Sequence, residues 1–356
     1  KGSIFLDTNT TIINNEVGAY IGLEKISEDN GKKFKLNMIL RMDKNENFDL
    51  NFSPALSMVY KPSETKNGIF RLSFSSAIRN PTLSDQYLFY NTGRAILIGN
   101  LNGHGTDYGE NLATISSVLK YLSPASPNAN DLKFFSVAPI QPEKAKSIEI
   151  GYRTTIAEKV YLDASYYFSK YDDFIGYKIG AKFNTDTTGN SFTLYDQSIQ
   201  IYRMAANSEN TVTTQGFSLG INYYLNNKYL LNGNYSWNKL NEETTDDPII
   251  PAYNTPENKF NIGFSARDLN ILGSKNYSFN INYKWVEKYK YEGSPQFTGY
   301  VPTYGLLDAQ ISKKIPKIYS TIKLGSSNLL NNIHYEVYGG PYIGRMSYLS
   351  ILFELD

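Results

Sequence analysis

The chain has 356 residues, enough to bury a sizeable core, and its 35 Lys and Arg residues are balanced by 34 Asp and Glu residues. The formal net charge of +1 gives no basic surplus for binding nucleic acid and no acidic surplus typical of a solvating tail. The absence of cysteine excludes disulfides, thiolate metal sites and cysteine nucleophiles.

The apolar composition is rich in aromatic residues, with 30 Tyr and 19 Phe against 2 Trp. Aromatic side chains favour strands, and amphipathic rings accumulate at membrane–water interfaces. No stretch approaches the roughly 18 consecutive apolar residues of a membrane-spanning helix. The mean hydropathy is also negative, at -0.39. The composition therefore predicts β structure and fits strands that contact a membrane.

Segments of about ten residues alternate between apolar and polar side chains, and turn-forming residues separate them. In Ser147–Arg153, for example, Ile148, Ile150 and Tyr152 take every second position, and polar or small residues fill the others. This period is that of a strand with two different faces. In chain order, about thirteen strands are predicted, beginning near residues 15, 33, 48, 68, 145, 159, 212, 229, 258, 277, 304, 319 and 346.

The distribution of side chains along these strands favours a transmembrane barrel over a soluble β-sandwich. A sandwich usually carries Val, Ile and Leu in the middle of its apolar face. Here Tyr and Trp tend to mark the strand ends, and Asn, Ser, Gly and Lys fill the other face. Aromatic girdles, an apolar outer band and a polar interior are typical of an outer-membrane barrel.

The lengths of the predicted connections alternate over the C-terminal part. Short turns lie near 155–159, 226–228, 268–275 and 314–317. Long connections cover 77–144, 170–211, 241–257, 288–303 and 330–345, and 43–47 is a short exception on the same side. Short periplasmic turns and long extracellular loops give bacterial barrels this asymmetry.

Two further features indicate that the chain enters in mid-barrel. An odd number of strands that ends on the short-turn side must begin on the long-loop side, whereas bacterial barrels have even strand numbers. The first residues, Lys1 to Glu16, also lack the basic, apolar and small-residue regions of a signal peptide. We therefore expect a chain whose N-terminal portion is missing.

Three short motifs occur in order along the predicted strands. Arg79-Asn80-Pro81-Thr82-Leu83 lies within the aromatic segment Phe70 to Asn91, EKAKSIEIGY covers Glu143 to Tyr152, and SNLL covers Ser327 to Leu330. In sequence and spacing they resemble motifs of the TonB-dependent receptors, and they span most of the chain. The Tyr- and Asn-rich style is similar to receptors of Bacteroidetes-type bacteria.

The resemblance implies an all-β transmembrane antiparallel barrel of about 22 strands around an N-terminal plug. Residues 1–356 would then be the C-terminal part, with about thirteen final strands, and the plug, TonB box and early strands would be absent from this sequence. Barrel proteins often end on an aromatic residue that helps assembly. Here Phe353 is the best candidate, although the chain ends three residues later.

The long extracellular loop 77–144 is the predicted ligand-binding region, because a connection of this length usually serves function. Aromatic rings with an Arg would suit a sugar, an aromatic chelate or a peptide. Pro81 has a structural alternative, since a Pro after Asn also simply ends a strand. The candidate ligand-binding residues are Arg79, Tyr87, Tyr90, Arg94 and Tyr108.

Other candidate sites are weaker. His104, Asp107 and Glu110 are spaced like metal ligands, but we expect this glycine-rich segment to expose them to water, and we predict no metal site or cofactor. The acid pairs Asp172-Asp173 and Asp246-Asp247 are expected to be solvated and not to act as a glycosidase pair. There is no phosphate loop or nucleophile elbow, and two His residues give no plausible triad, so no catalytic residue and no enzymatic activity are predicted.

The predicted function is energy-dependent uptake of a scarce ligand, such as a siderophore, vitamin, peptide or glycan, by a multi-pass barrel of the outer membrane. The resemblance implies coupling to a TonB-type complex through the missing plug. The other predicted partners are the lipid bilayer and the small ligand, with no nucleic acid, and the sequence leaves open whether a surface lipoprotein caps the barrel. A passive porin-like barrel and a soluble secreted glycan-binding sandwich are the alternatives. Inward-facing residues that would line the polar path include Glu149, Arg153, Asn222, Asn234 and Lys284.

Overall fold

The computed structural model describes residues 11–63, 68–93, 95–123, 129–182, 199–241, 253–293 and 298–354. Among these residues, thirteen antiparallel strands form one sheet in which each strand pairs with the next in chain order. They are β1 Glu16–Asp29, β2 Lys32–Asn45, β3 Asn51–Lys61, β4 Ile69–Arg79, β5 Glu143–Ile156, β6 Val160–Asp172, β7 Val212–Tyr224, β8 Tyr229–Asn241, β9 Asn258–Ile271, β10 Ser274–Val286, β11 Tyr304–Ile315, β12 Ser320–Ser327 and β13 Met346–Phe353.

The thirteen predicted strands are confirmed. The largest differences in starting residue are at β3, predicted near 48 and beginning at Asn51, and at β10, predicted near 277 and beginning at Ser274. The side-chain alternation placed the strands well because a strand with two different faces must keep the period of two along its whole length.

The strand register aligns the apolar positions of neighbouring strands into one face. Phe74 of β4 pairs with Ile148 of β5, which pairs with Phe168 of β6. Further along the sheet, Tyr235 of β8 pairs with Phe260 of β9, and Phe260 pairs with Trp285 of β10. A one-residue slip at any pair would break this apolar face.

Large side chains on the apolar face are exposed, including Ile150 at 58% and Leu349 at 68%. A soluble β-sandwich would cover such a face with a second sheet, so the structure does not support the sandwich alternative. A contiguous exposed apolar face of this kind requires an apolar environment, and lipid provides one. We refer to it as the lipid-facing side.

The opposite face is polar. Long side chains on this face pass over a glycine of the neighbouring strand and contact a residue on the strand beyond it. Arg71 of β4 lies over Gly151 of β5 and pairs with Asp163 of β6. A Cβ at position 151 would lie 2.9 Å from the Arg71 Nε atom. Glycine is therefore needed for this close approach.

The same arrangement recurs at two other places on the polar face. Tyr167 crosses Gly216 and donates a hydrogen bond to Asn238 Oδ1 at 3.0 Å. Near the C-terminus, Tyr348 crosses Gly325 and donates to Gln310 Oε1 at 2.8 Å. These contacts join alternate strands in addition to the backbone ladder.

Two long connections, 80–142 and 173–211, fold together into a second sheet that was not predicted from the sequence. Its five strands are joined by three antiparallel pairs and one parallel pair. We call it the loop sheet. In spatial order its strands are Phe89–Asn91, Ile96–Ile98, Gln200–Asn207, Ile175–Lys182 and Leu112–Thr114.

Short helices and small strand pairs complete the connections, and no helix among the described residues is long and apolar enough to cross a membrane. The α-helices are α1 Leu83–Tyr87 and α2 Ile115–Leu122, and the 3-10 helices are Thr106–Tyr108, Ala129–Asp131 and Pro316–Ile318. The remaining strand pairs are His104–Gly105 with Ser136–Val137 and Tyr289–Glu292 with Thr298–Val301.

The loop sheet has a hydrophobic core of its own. Leu112 and Met204 are fully buried on one face, and Ala181 is buried on the other among residues of α2. The described parts of the two long connections thus bury apolar side chains against each other, which gives the loop sheet a fixed shape.

Replacing Ile150 by Lys should lower the free energy of unfolding in lipid by about 2–4 kcal/mol, because the ammonium group would enter hydrocarbon. Urea unfolding of the protein in lipid vesicles measures this change. The control is Glu149→Lys, one residue away on the polar face, which should change stability by only about 0.5 kcal/mol. Equal losses from the two substitutions would contradict the assignment of the lipid-facing side.

Candidate ligand-binding surface

Arg79, the first candidate residue, lies at the end of β4, where it forms an ion pair with Glu143 at 2.8 Å. The Glu143 side chain is only 9% exposed, and its Oε2 atom also accepts a hydrogen bond from the Ile175 peptide N–H at 3.1 Å. Glu143 therefore joins β4 to the start of a loop-sheet strand. Arg79 is more than half exposed, so it can position this junction and still contact a ligand.

Strand β4 ends at Arg79, directly before Asn80 and Pro81, and helix α1 then begins at a capping box. The Thr82 side chain accepts a hydrogen bond from the Asp85 peptide N–H, and the Asp85 carboxylate accepts from the Thr82 peptide N–H at 2.9 Å. Such reciprocal bonds satisfy two free donors at a helix start. Tyr87, at the other end of α1, accepts a hydrogen bond from Asn47 Nδ2 at 2.8 Å. The bond from Asn47 ties α1 to the short connection between β2 and β3.

The remaining candidates occupy different elements. Tyr90 lies on a loop-sheet strand and is 47% exposed. Tyr108 lies on a 3-10 helix, is 41% exposed and covers Gly103, where a Cβ would collide with the ring. Arg94 lies outside the described residues.

Tyr87 also helps to line a pocket of about 260 Å³ between α1 and the residues that follow the second loop-sheet strand. Apolar side chains and amides make up most of its wall, which is the usual composition of a small-molecule site. Its lining residues are Gln86, Tyr87, Leu88, Phe89, Ile98, Gly99, Leu101, Asn102 and His104.

His104 is buried, which corrects the expectation that its segment exposes it to water. Its Nδ1 atom lies 3.1 Å from Glu110 Oε2, and its Nε2 atom lies 2.9 Å from the Gly99 carbonyl oxygen. Glu110 also forms an ion pair with Lys182 at 2.6 Å. The ring is thus a fixed part of the pocket wall. Among the described residues, no group of three potential ligands could hold a metal ion.

Burial would raise the pKa of Glu110, but hydrogen bonds from Lys182 and the Gly105 peptide N–H outweigh it, so the pKa is lowered. The carboxylate is therefore charged at neutral pH. Its partners come from both long connections, since Lys182 lies on a strand of the second one. This ion pair holds the two connections together.

Arg203 lies at the centre of a row of side chains that crosses the loop sheet, and sequence reasoning missed it. Tyr90 pairs with Leu97, Leu97 with Arg203, and Arg203 with Ile179. Directly paired residues point to the same side of a sheet. The Arg203 guanidinium also lies over the Tyr177 ring, 3.6 Å from its centre. We call these five residues the Arg203 patch. Only the pairing of the two long connections creates it, so no sequence motif could have signalled it.

The acid pair Asp172-Asp173 is bound by lysines and does not act as two free carboxylates. Asp172 forms an ion pair with Lys170 at 3.1 Å, and Asp173 lies 3.7 Å from Lys144. The second pair, Asp246-Asp247, lies outside the described residues.

A family model described as "TonB dependent receptor-like, beta-barrel" matches residues 7–329. The chain belongs to the TonB-dependent receptor family. No curated protein matches it.

Solved structures agree with the receptor fold. The FrpB iron transporter of Neisseria meningitidis is 16% identical with a TM-score of 0.59, and the siderophore receptor PirA of Acinetobacter baumannii is 14% identical with a TM-score of 0.60. For each, the match covers 95% of this chain and 45% of the other. The copper transporter OprC is 13% identical, with a TM-score of 0.58 and coverage of 95% and 47%. The chain thus spans less than half the length of these structures.

Residues predicted to line the interior of the receptor barrel lie on the polar face. Asn234 accepts a hydrogen bond from Asn261 Nδ2 at 2.9 Å, and Lys284 forms an ion pair with Glu336 at 3.2 Å. Glu336 belongs to the connection between β12 and β13, so this ion pair fixes that connection to the polar face of β10. Glu149, Arg153 and Asn222 alternate with the lipid-facing residues of their strands, on the polar side.

Replacing Glu110 by Gln should weaken the junction of the two connections by about 1 kcal/mol at pH 7, because the ion pair with Lys182 is lost. The folded-state pKa of Glu110 is lowered, so the stabilisation is present above the carboxyl's ordinary pKa of 4.5 and disappears as the pH falls through the folded-state value. Amide hydrogen exchange of residues 104–114 should be roughly fivefold faster in the variant at pH 7, and the difference should shrink below about pH 4.

The control for this experiment is Asp107→Asn, which changes an exposed acid of the same segment that forms no ion pair among the described residues. It should leave exchange unchanged at both pH values. An equal effect of Glu110→Gln at pH 7 and at pH 3 would contradict the role given to the charge.

Proposed function

We propose that this chain is the C-terminal barrel part of an outer-membrane receptor that takes up a scarce ligand by TonB-coupled transport. The observation that carries the proposal is the loop sheet, which presents fixed aromatic and charged side chains beside a barrel with a lipid-facing side. A passive pore needs no such folded surface, so this observation favours a receptor over the porin-like alternative.

The long connections lie on one side of the proposed barrel and the short turns on the other. Residues 80–142 and 173–211 follow β4 and β6, whereas the β5–β6 and β9–β10 turns occupy only 157–159 and 272–273. Long loops face the medium in outer-membrane barrels and short turns face the periplasm. We therefore place the loop sheet at the cell surface, where it would meet the ligand first.

The proposed energy coupling runs through parts of the protein beyond this chain. In this proposal the edges of β1 and β13 pair with further strands, which would satisfy backbone groups that lipid cannot bind. A plug inside the barrel, surrounded by the polar face, would then contact the TonB-type complex. The similar structures are named as an iron transporter, a siderophore receptor and a copper transporter, which favours a metal chelate as the ligand.

Within the receptor, we propose that Tyr87, Tyr90 and Tyr108 contact the ligand and that Arg79 both contacts it and positions the loop junction. Arg94 belongs to the same proposed surface. Tyrosine suits this role because a rigid ring combines apolar contact area with a hydroxyl that forms hydrogen bonds.

Deletion of residues 95–130 should abolish uptake, because it removes two loop-sheet strands and α2 while it leaves β4 and β5 in place. Cells that express the full-length protein would be given radiolabelled ferric chelates and cobalamin, and accumulation would be measured with and without TonB. Uptake should require both the loop and TonB.

Barrel assembly is the control, and the deletion variant should still resist unfolding in detergent at room temperature as the unaltered protein does. Undiminished uptake in the assembled variant would contradict the loop assignment. Uptake that persists without TonB would favour a passive barrel.

A further inference from the structure

The backbone beneath Arg203 is held on both sides. Its strand, Gln200–Asn207, pairs in parallel with Ile96–Ile98 and antiparallel with Ile175–Lys182. The next residue, Met204, is fully buried in the loop-sheet core. A side chain on a central strand over a packed core is presented in a fixed position, which a binding site requires.

The Arg203 guanidinium is held by an aromatic ring and not by an acceptor. It lies 3.6 Å from the centre of the Tyr177 ring, and among the described residues it donates no hydrogen bond. Other arginines differ, since Arg71 pairs with Asp163 and Arg79 pairs with Glu143. A guanidinium has five N–H donors and no acceptor, so this group is oriented but has no acceptor among the described residues.

The nearby carboxylate does not neutralise it by direct contact. Asp85 accepts hydrogen bonds from the Thr82 peptide N–H at 2.9 Å and from the Thr82 hydroxyl at 2.8 Å. Within the part of the chain that the structure describes, no ion pair joins Asp85 to Arg203. The Asp85 carboxylate is thus occupied by the hydrogen bonds that start α1.

Burial also affects the ionisation of Arg203. It lowers the pKa of the Arg203 guanidinium, an effect that Asp85 partly opposes, and the same burial raises the pKa of Tyr177. An arginine starts from so high a pKa that it stays charged at neutral pH. A half-buried cation to which the described residues offer no acceptor favours the approach of an anion.

Apolar surface surrounds this cation. Ile179, its direct partner on the next strand, is 44% exposed, and Tyr177 is also 44% exposed. Tyr90 lies on the far side of Leu97 in the same row and is 47% exposed. A ligand that sets an acceptor against the guanidinium would therefore lay its neighbouring atoms on rings and aliphatic groups.

We propose that the Arg203 patch binds the carboxylate of a ligand whose adjoining body is planar and apolar. Two parallel N–H groups of the guanidinium match the two oxygens of a carboxylate, and the rings of Tyr90 and Tyr177 contact the body. A cationic ligand would be repelled, and a neutral one would lose the charge-assisted bonds. This inference rests on the proposed receptor function, because it names the ligand class at the same surface.

The test uses the full-length protein purified from outer membranes, with benzoate as the probe and benzamide as its uncharged analogue. Saturation-transfer NMR titrations would give both dissociation constants. Benzoate should bind more tightly than benzamide, and Arg203→Gln should weaken benzoate about tenfold or more while it changes benzamide little.

Two further variants test whether binding depends on the paired N–H groups and on this particular arginine. Arg203→Lys retains the charge and the fold but not the paired N–H groups, so it should bind benzoate more weakly than the unaltered protein does and more tightly than Arg203→Gln does. Arg345→Gln, which alters an exposed arginine in the connection before β13, should leave both dissociation constants unchanged.

Equal binding of benzoate to the unaltered protein and to Arg203→Gln would overturn the inference, and so would benzamide binding as tight as that of benzoate. These outcomes are separate from the uptake experiment. TonB-dependent uptake with Arg203-independent benzoate binding would refute only this inference, whereas Arg203-dependent binding in a protein with TonB-independent uptake would refute only the proposed coupling.

Discussion

The main sheet depends on the pairing of backbone N–H and C=O groups, because hydrocarbon offers them no other partner. Strands satisfy this requirement through their neighbours, and the period of two then gives every strand one lipid-facing side and one polar side. The register keeps the sides consistent, as in the row formed by Phe74, Ile148 and Phe168. Apolar side chains in this barrel are therefore outside, and they are exposed because their solvent is lipid.

The polar side has a different problem, since a side chain on an intervening strand blocks contact between the strands on either side of it. Glycines solve it locally. Where Gly151, Gly216 and Gly325 remove a side chain, a longer residue on one neighbouring strand reaches the other. The resulting contacts join alternate strands, and they explain why glycine occupies these three positions.

The loops obey the ordinary rules of soluble proteins. They bury Leu112 and Met204 in a core of their own, and they are joined to the barrel by Glu143 and to each other by Glu110 and Lys182. A surface built in this way is preorganised, which reduces the entropy that a ligand must overcome on binding. The function proposed for this receptor thus depends on a small soluble-type fold supported by a membrane-type sheet.

The sequence by itself determined the thirteen barrel strands, their two faces and the long and short connections, because alternation is a local property that each strand repeats. It also marked Arg79 and Glu143 through family motifs. It did not reveal the loop sheet, since strands as short as Ile96–Ile98 carry too few residues to show a period. The burial of His104 and the row from Tyr90 to Ile179 were decided only by the tertiary structure. His104 is buried because its loop closes on itself, through Gly99 and Glu110. The row from Tyr90 to Ile179 forms because segments about 100 residues apart meet, as the hydrogen bond from Asn100 to the carbonyl oxygen of Ala205 also shows. Local patterning contains no record of such pairings, because their energy comes from burying two distant apolar surfaces against each other.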